Sequence, residues 1–142
     1  STRAIYATLL CAAVVHLGWQ ACRASFGACA DPTNPYVYAH TTEDVPELAR
    51  RVHAVARSHP QGLAMPVQVI CPADDYWPLP WYLRREAAVG FWSEPPANCD
   101  GALVITSAAQ AEAVRGRLKF RYRETFLGLR PGVICAVFIR EP

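Results

Sequence analysis

Residues Met65-Pro66-Val67-Gln68-Val69-Ile70-Cys71 run through Pro72-Ala73 into Asp74-Asp75-Tyr76-Trp77-Pro78-Leu79-Pro80-Trp81-Tyr82-Leu83-Arg84-Arg85. The first seven are β-branched and bounded by prolines, the signature of a strand. The dozen from Asp74 hold four aromatic rings, two prolines and a terminal pair of arginines. Proline fixes its own φ and disfavours α geometry in the residue before it, here Trp77 and Leu79. The rings are therefore expected on a stiff bend until a short helix starts near Trp81, which would set Trp81 and Arg85 one turn apart on one face. A rigid aromatic platform beside guanidinium suits a sugar face, a lipid headgroup or a phosphate. The alternative is a corner whose rings fill the core while its arginines sit in water.

Upstream, Tyr36-Val37-Tyr38-Ala39-His40-Thr41 reads as a short strand. Asp44 and Glu47 have the spacing of a capping box, and Val45, Leu48, Val52 and Val55 recur at helical intervals. Arg50, Arg51 and Arg57 fall away from that stripe, and His53 and His59 belong to the helix surface and its end. His40 and Thr41 lie where open α/β sheets collect ligands, at a strand's carboxyl end before a helix. If this strand and 65–71 were parallel neighbours, His40 and Thr41 would come near Asp74, Asp75, Tyr76 and Trp77. A histidine in a loop without a partner is the plainer alternative, and adjacent loop aspartates are usually just solvated.

Downstream, Val89-Gly90-Phe91-Trp92 and Ala102-Leu103-Val104-Ile105-Thr106 are strands, the second apolar enough to be central. Ser107 and Gln110 suggest a second capping box, opening a helix that carries Ala111, Val114 and Leu118. Lys119–Phe126 alternates polar and aromatic residues, Leu129–Gly132 turns, and Val133–Arg140 returns as an apolar strand. The expected fold class is α/β: a mostly parallel Rossmann-like sheet with helices on its faces and a C-terminal antiparallel hairpin, preceded by one transmembrane-like helix.

That first helix comes from Ala4–Cys22, which has no charged residue and is flanked by Arg3 and Arg23. Its length approaches the roughly 20 apolar residues a bilayer helix needs. Tyr6 and Trp19 lie near its ends, where interfacial aromatics gather. His16 and Gln20 share a face that in a membrane would turn toward other helices. The alternative is an Ala-rich helix buried in a soluble domain. The chain carries no initiating methionine, Met65 being its only one, and reads as a piece of something longer. Residues 1–24 are expected as the last transmembrane helix, 25–35 as a linker and 36–142 as a soluble α/β domain.

With 142 residues and 52% hydrophobic side chains, the chain can bury a real core. A formal charge of +2, spread among carboxylates, argues against a nucleic-acid partner. No phosphate loop, nucleophile elbow or His-Glu-x-x-His occurs, and the six cysteines contain no Cys-x-x-Cys. If the domain faces an oxidising compartment, Cys22 and Cys29 are the pair that separation makes easiest. No triad or acid/base pair forms a complete active site, so no catalytic residue, metal or cofactor is assigned to this stretch.

Three strings resemble a known family: Asn34-Pro-Tyr-Val-Tyr-Ala-His-Thr-Thr-Glu-Asp-Val, Asp75-Tyr-Trp-Pro-Leu-Pro-Trp-Tyr-Leu-Arg and Val89-Gly-Phe-Trp. They are similar to the C-terminal part of the flippase-activity-associated archaeal and bacterial glycosylation family, polytopic membrane proteins similar to dolichyl-phosphate-mannose protein mannosyltransferases. The resemblance covers roughly residues 4–107, and its motif positions are Tyr76, Trp77, Pro78, Pro80, Trp81, Tyr82 and Arg84. It implies a many-helix body before this segment, a soluble tail outside the cytoplasm and Arg3 on the cytoplasmic side. It also implies that the catalytic acid lies in the body. The expected partners are a polyprenyl-phosphate sugar or glycan acceptor, the membrane and a glycosylation-complex protein. The substrate-binding candidates are His40, Thr41, Asp75, Tyr76, Trp77, Trp81, Tyr82, Arg84 and Arg85. A non-catalytic interaction module and a free-standing soluble α/β enzyme are the alternatives.

Overall fold

The computed structural model describes every residue except Pro32, Pro35, Tyr36, Tyr38, Ala39, Asp74 and Pro142. The chain forms two compact units, Ser1–His40 and Thr41–Pro142.

In the first unit α1 (Thr2–Cys22) continues through a wider π turn at Arg23–Gly27. The helix runs 26 residues from Thr2 to Gly27, and an 18-residue stretch within it has a mean hydropathy of 1.5, long and apolar enough to cross a bilayer. A membrane anchor and a signal segment both fit that description. No residue of α1 is buried. His16 and Gln20 do share a face: the Gln20 amide donates to the His16 ring at 3.0 Å. Toward the carboxyl end of the connector, Thr33 donates from backbone and hydroxyl to Asp31 Oδ1 at 2.9 and 2.7 Å, holding that carboxyl below its usual range.

The second unit is built on five strands: β1 (Val67–Ile70), β2 (Val89–Trp92), β3 (Leu103–Ser107), β4 (Tyr122–Arg130) and β5 (Val133–Arg140). Their spatial order is β2-β1-β3-β5-β4. β1 lies parallel to β2 and β3, whereas β5 runs antiparallel to both β3 and β4. The sheet is thus mixed, not mostly parallel. The reason lies in β5, whose Cys135-Ala136-Val137-Phe138 run is buried on both faces. A strand apolar on both sides belongs in the interior of a sheet, so β5 inserts beside β3 and leaves the half-polar β4 at the edge.

Side chains alternate across the pleat. Val67, Val69, Leu103, Ile105, Cys135 and Val137 join a core with Val45, Leu48, Val52 and Ala56 of α2 (Asp44–Ser58). Ile70, Val104, Ala136 and Phe138 face the other way, onto Cys99 and onto Ala111 and Val114 of α4 (Ala111–Arg115). α2 buries the expected stripe, with Val55 only partly covered. Neither expected capping box forms. Asp44 instead accepts the Gly128 N–H at 2.9 Å, and Glu47 pairs with Arg50 and Arg51 at 2.9 and 2.8 Å. Ser107 likewise makes no backbone cap, and the next residues take one tight 3₁₀ turn before α4.

The strand expected at 36–41 falls partly outside the described residues. Val37, His40 and Thr41, which are described, are not in a strand. β1 already has β2 and β3 as its two neighbours, so no place beside it is open to such a strand.

Candidate functional site

β1 ends at Ile70, and the chain passes Cys71 and turns through Ala73, whose φ of 47° is left-handed, into the aromatic bend. α3 occupies Leu79–Tyr82, two residues earlier than the rings suggested. Pro80 is tolerated there because the first turn of a helix has no use for its missing N–H. Leu79 and Leu83 are both buried, and the Leu83 N–H donates to the Leu79 carbonyl at 2.8 Å. That apolar pair pins the short helix to the core and leaves the Trp81 ring outside, 63% exposed.

The guanidinium beside Trp81 is that of Arg84, not Arg85. α3 ends at Tyr82, so the spacing of four does not apply. Arg84 Cζ stands 4.3 Å from the indole centroid, and its Nη1 donates to the Trp81 carbonyl at 2.6 Å. A cation held over an indole face is attracted by the ring's quadrupole, and the backbone bond fixes its approach.

Trp81, Tyr82, Arg84 and Arg85 form one wall of an open cleft of about 520 Å³. The facing wall is the outer side of α2: Ala49, Arg50, His53 and Arg57, one turn after another. Glu86 closes the cleft at the end of the bend. Four arginines thus face one another across it. Arg50 is paired with Glu47, whereas Arg57 and Arg85 have no carboxylate partner among the described residues. Such a surface favours an anion.

The other expected site residues divide. Asp75 accepts from Arg130 Nη2 at 2.8 Å, while Nη1 of the same guanidinium reaches the Trp77 carbonyl at 3.4 Å. Arg130, from the end of β4, so fastens the bend to the sheet. Tyr76 packs its ring 5.2 Å from that of Phe91 on β2 and leans on the core. Trp77 is half-exposed. His40 ends the first unit and is exposed; Thr41 opens the second and is half-buried. Neither is among the residues that line the cleft.

Beneath the bend the buried thiols of Cys71 and Cys135 are hydrogen-bonded to each other. That bond, and then burial, push Cys71 far above the ordinary thiol range, so it is no nucleophile. Among the described residues no three His, Cys, Asp or Glu side chains gather as a metal site would require.

Arg50, His53, Arg57 and Glu86 complete the cleft without having been marked as site residues. The signal for the first three was present in the polar stripe 50-53-57, opposite the apolar one. What it lacked was the knowledge that α3 packs against that side. No protein-family model, curated protein or solved structure matches this chain.

Proposed function

We propose that this chain is the extracytoplasmic C-terminal domain of a membrane glycosyltransferase-like protein that uses a polyprenyl-phosphate-linked sugar. Its role is to bind the lipid-linked sugar or the acceptor through the face carrying Trp81, Tyr82, Arg84 and Arg85. The observation that carries this reading is the exposed Trp81 indole with Arg84 stacked on it at the wall of an arginine-lined cleft. An indole face packs against the C–H face of a sugar, and guanidinium takes a phosphate. The resemblance of the 75–84 string and the apolar helix Thr2–Gly27 support the same reading, with the helix as membrane anchor. On this reading the chain by itself binds without turning over.

The test is binding and transfer with polyprenyl-phosphate mannose in nanodiscs. The wild-type chain is expected to bind and to transfer nothing to an acceptor peptide, and Trp81→Ala to weaken binding about tenfold, as loss of a stacked platform does. Mannose transfer by this chain would overturn its non-catalytic role. Equal binding by wild type and Trp81→Ala would overturn the site.

A second reading, a docking module of a glycosylation complex, is favoured by Phe91 and Trp92. Both are exposed on β2, one of the two edge strands of the sheet. On that reading Trp77→Ala removes a protein partner and leaves sugar binding intact.

A further inference from the structure

Behind the cleft lies a feature that sugar stacking does not use. The Glu86 side chain is only 3% exposed, and its Oε2 has no hydrogen-bond partner among the described residues. Its Oε1 lies 3.5 Å from His53 Nδ1, which is itself buried and has no hydrogen-bond partner among the described residues. A buried carboxylate left in this state is costly, and such groups in native proteins call for an explanation. The His53 side chain is 34% exposed and lines the cleft. With Nδ1 turned back to Glu86, Nε2 is the nitrogen available to a ligand.

We propose that this cleft is a phosphate-ester site. His53 Nε2 holds the anion together with Arg57 and Arg85, which have no carboxylate partner among the described residues, and Glu86 positions the imidazole from behind. The proposal rests on the reading above, since Trp81 and Arg84 share the cleft, and it names the part of the ligand that the arginine side takes. A carboxylate behind a histidine orients the ring and favours a proton on the nitrogen facing it. When both ring nitrogens carry protons, Nε2 is a further donor among the guanidinium groups. The ligand chemistry is a phosphate ester, whether it belongs to a lipid-linked sugar, a phospholipid headgroup or a free phosphate.

The experiment is a titration of the full chain in polyoxyethylene-ether micelles, which carry no sugar, with glucose 1-phosphate, glycerol 3-phosphate and inorganic phosphate. The ring nitrogens of His53 are followed by NMR. Binding of the phosphates with a shift at His53 is the expected result, and the tightest of the three identifies the source. The Arg57→Ala/Arg85→Ala double variant and His53→Gln are each expected to lose about tenfold or more in affinity, the scale of a charge-assisted hydrogen bond. Glu86→Gln is expected to move the His53 ring-nitrogen shifts and to weaken binding in parallel.

Phosphate binding indifferent to both the double variant and His53→Gln would overturn the site, as would no phosphate binding at millimolar concentration. A Glu86→Gln protein that melts lower yet binds unchanged would overturn the positioning role. Since His53 lies partly at the surface, His53→Gln keeps the test decisive even if Glu86→Gln does not fold. The aromatic face is judged separately, by Trp81→Ala and polyprenyl-phosphate mannose, so either can fail without the other.

Discussion

Single residues of the bend divide cleanly between holding and displaying. Leu79 and Leu83 are buried, and truncating either to alanine is expected to cost about 2–5 kcal/mol, measured by denaturant unfolding. Trp81, mostly in water, should cost under about 1 kcal/mol on the same assay. A loss as large as Leu79's would mean that its indole is structural. Glu47 offers a pH test. The hydrogen bond from Arg51, and then the nearby charge of Arg50, hold its carboxyl below the usual glutamate range. A depressed carboxylate contributes stability above its unfolded pKa of about 4.3, and that contribution is lost as pH falls through the lower folded value. Carboxyl-carbon NMR should therefore place Glu47's midpoint below that of a free glutamate; a midpoint at or above it would mean these pairs do not persist in solution.

At the scale of elements, β5 is the strand on which the sheet turns from parallel to antiparallel. Phe138→Ala, from a side chain only 2% exposed, is expected to cost about 3–5 kcal/mol. Cys71, Cys99 and Cys135 are buried in or beside the sheet and should react with maleimide only after denaturation; rapid native labelling would contradict the packing described. The strands from Val67 onward and the buried stripe of α2 were legible because their apolar periods are local properties. Neighbourhood in the sheet was not. Hydrophobic alternation states which residues are covered, but not which strand covers them: the apolar run of β5 marked an interior strand without naming β3 as its second neighbour. The helix at Leu79 began early for a similar reason: burial of Leu79 and Leu83 outweighed the proline penalty that the local string suggested. In the cleft, one wall was legible as a ring-and-arginine string, while the other needed the packing of α2 against α3.

For the molecule as a whole, the anchor assignment carries its own test. Leu10→Arg with Val14→Arg places two charges in the middle of α1, each costing about 2.5–3.5 kcal/mol at the centre of a membrane helix. The wild-type chain is expected to partition with lipid vesicles and the double variant to remain in the aqueous fraction. A wild-type chain monomeric in buffer without detergent would contradict the anchor. The binding claim is reached most directly through the four tryptophans, each of which gives one indole N–H resonance. On addition of polyprenyl-phosphate mannose to the full chain in nanodiscs, the Trp81 resonance is expected to shift saturably while that of Trp92, on an edge strand, stays in place. A Trp81 resonance that does not move at saturating lipid-linked sugar would contradict the account.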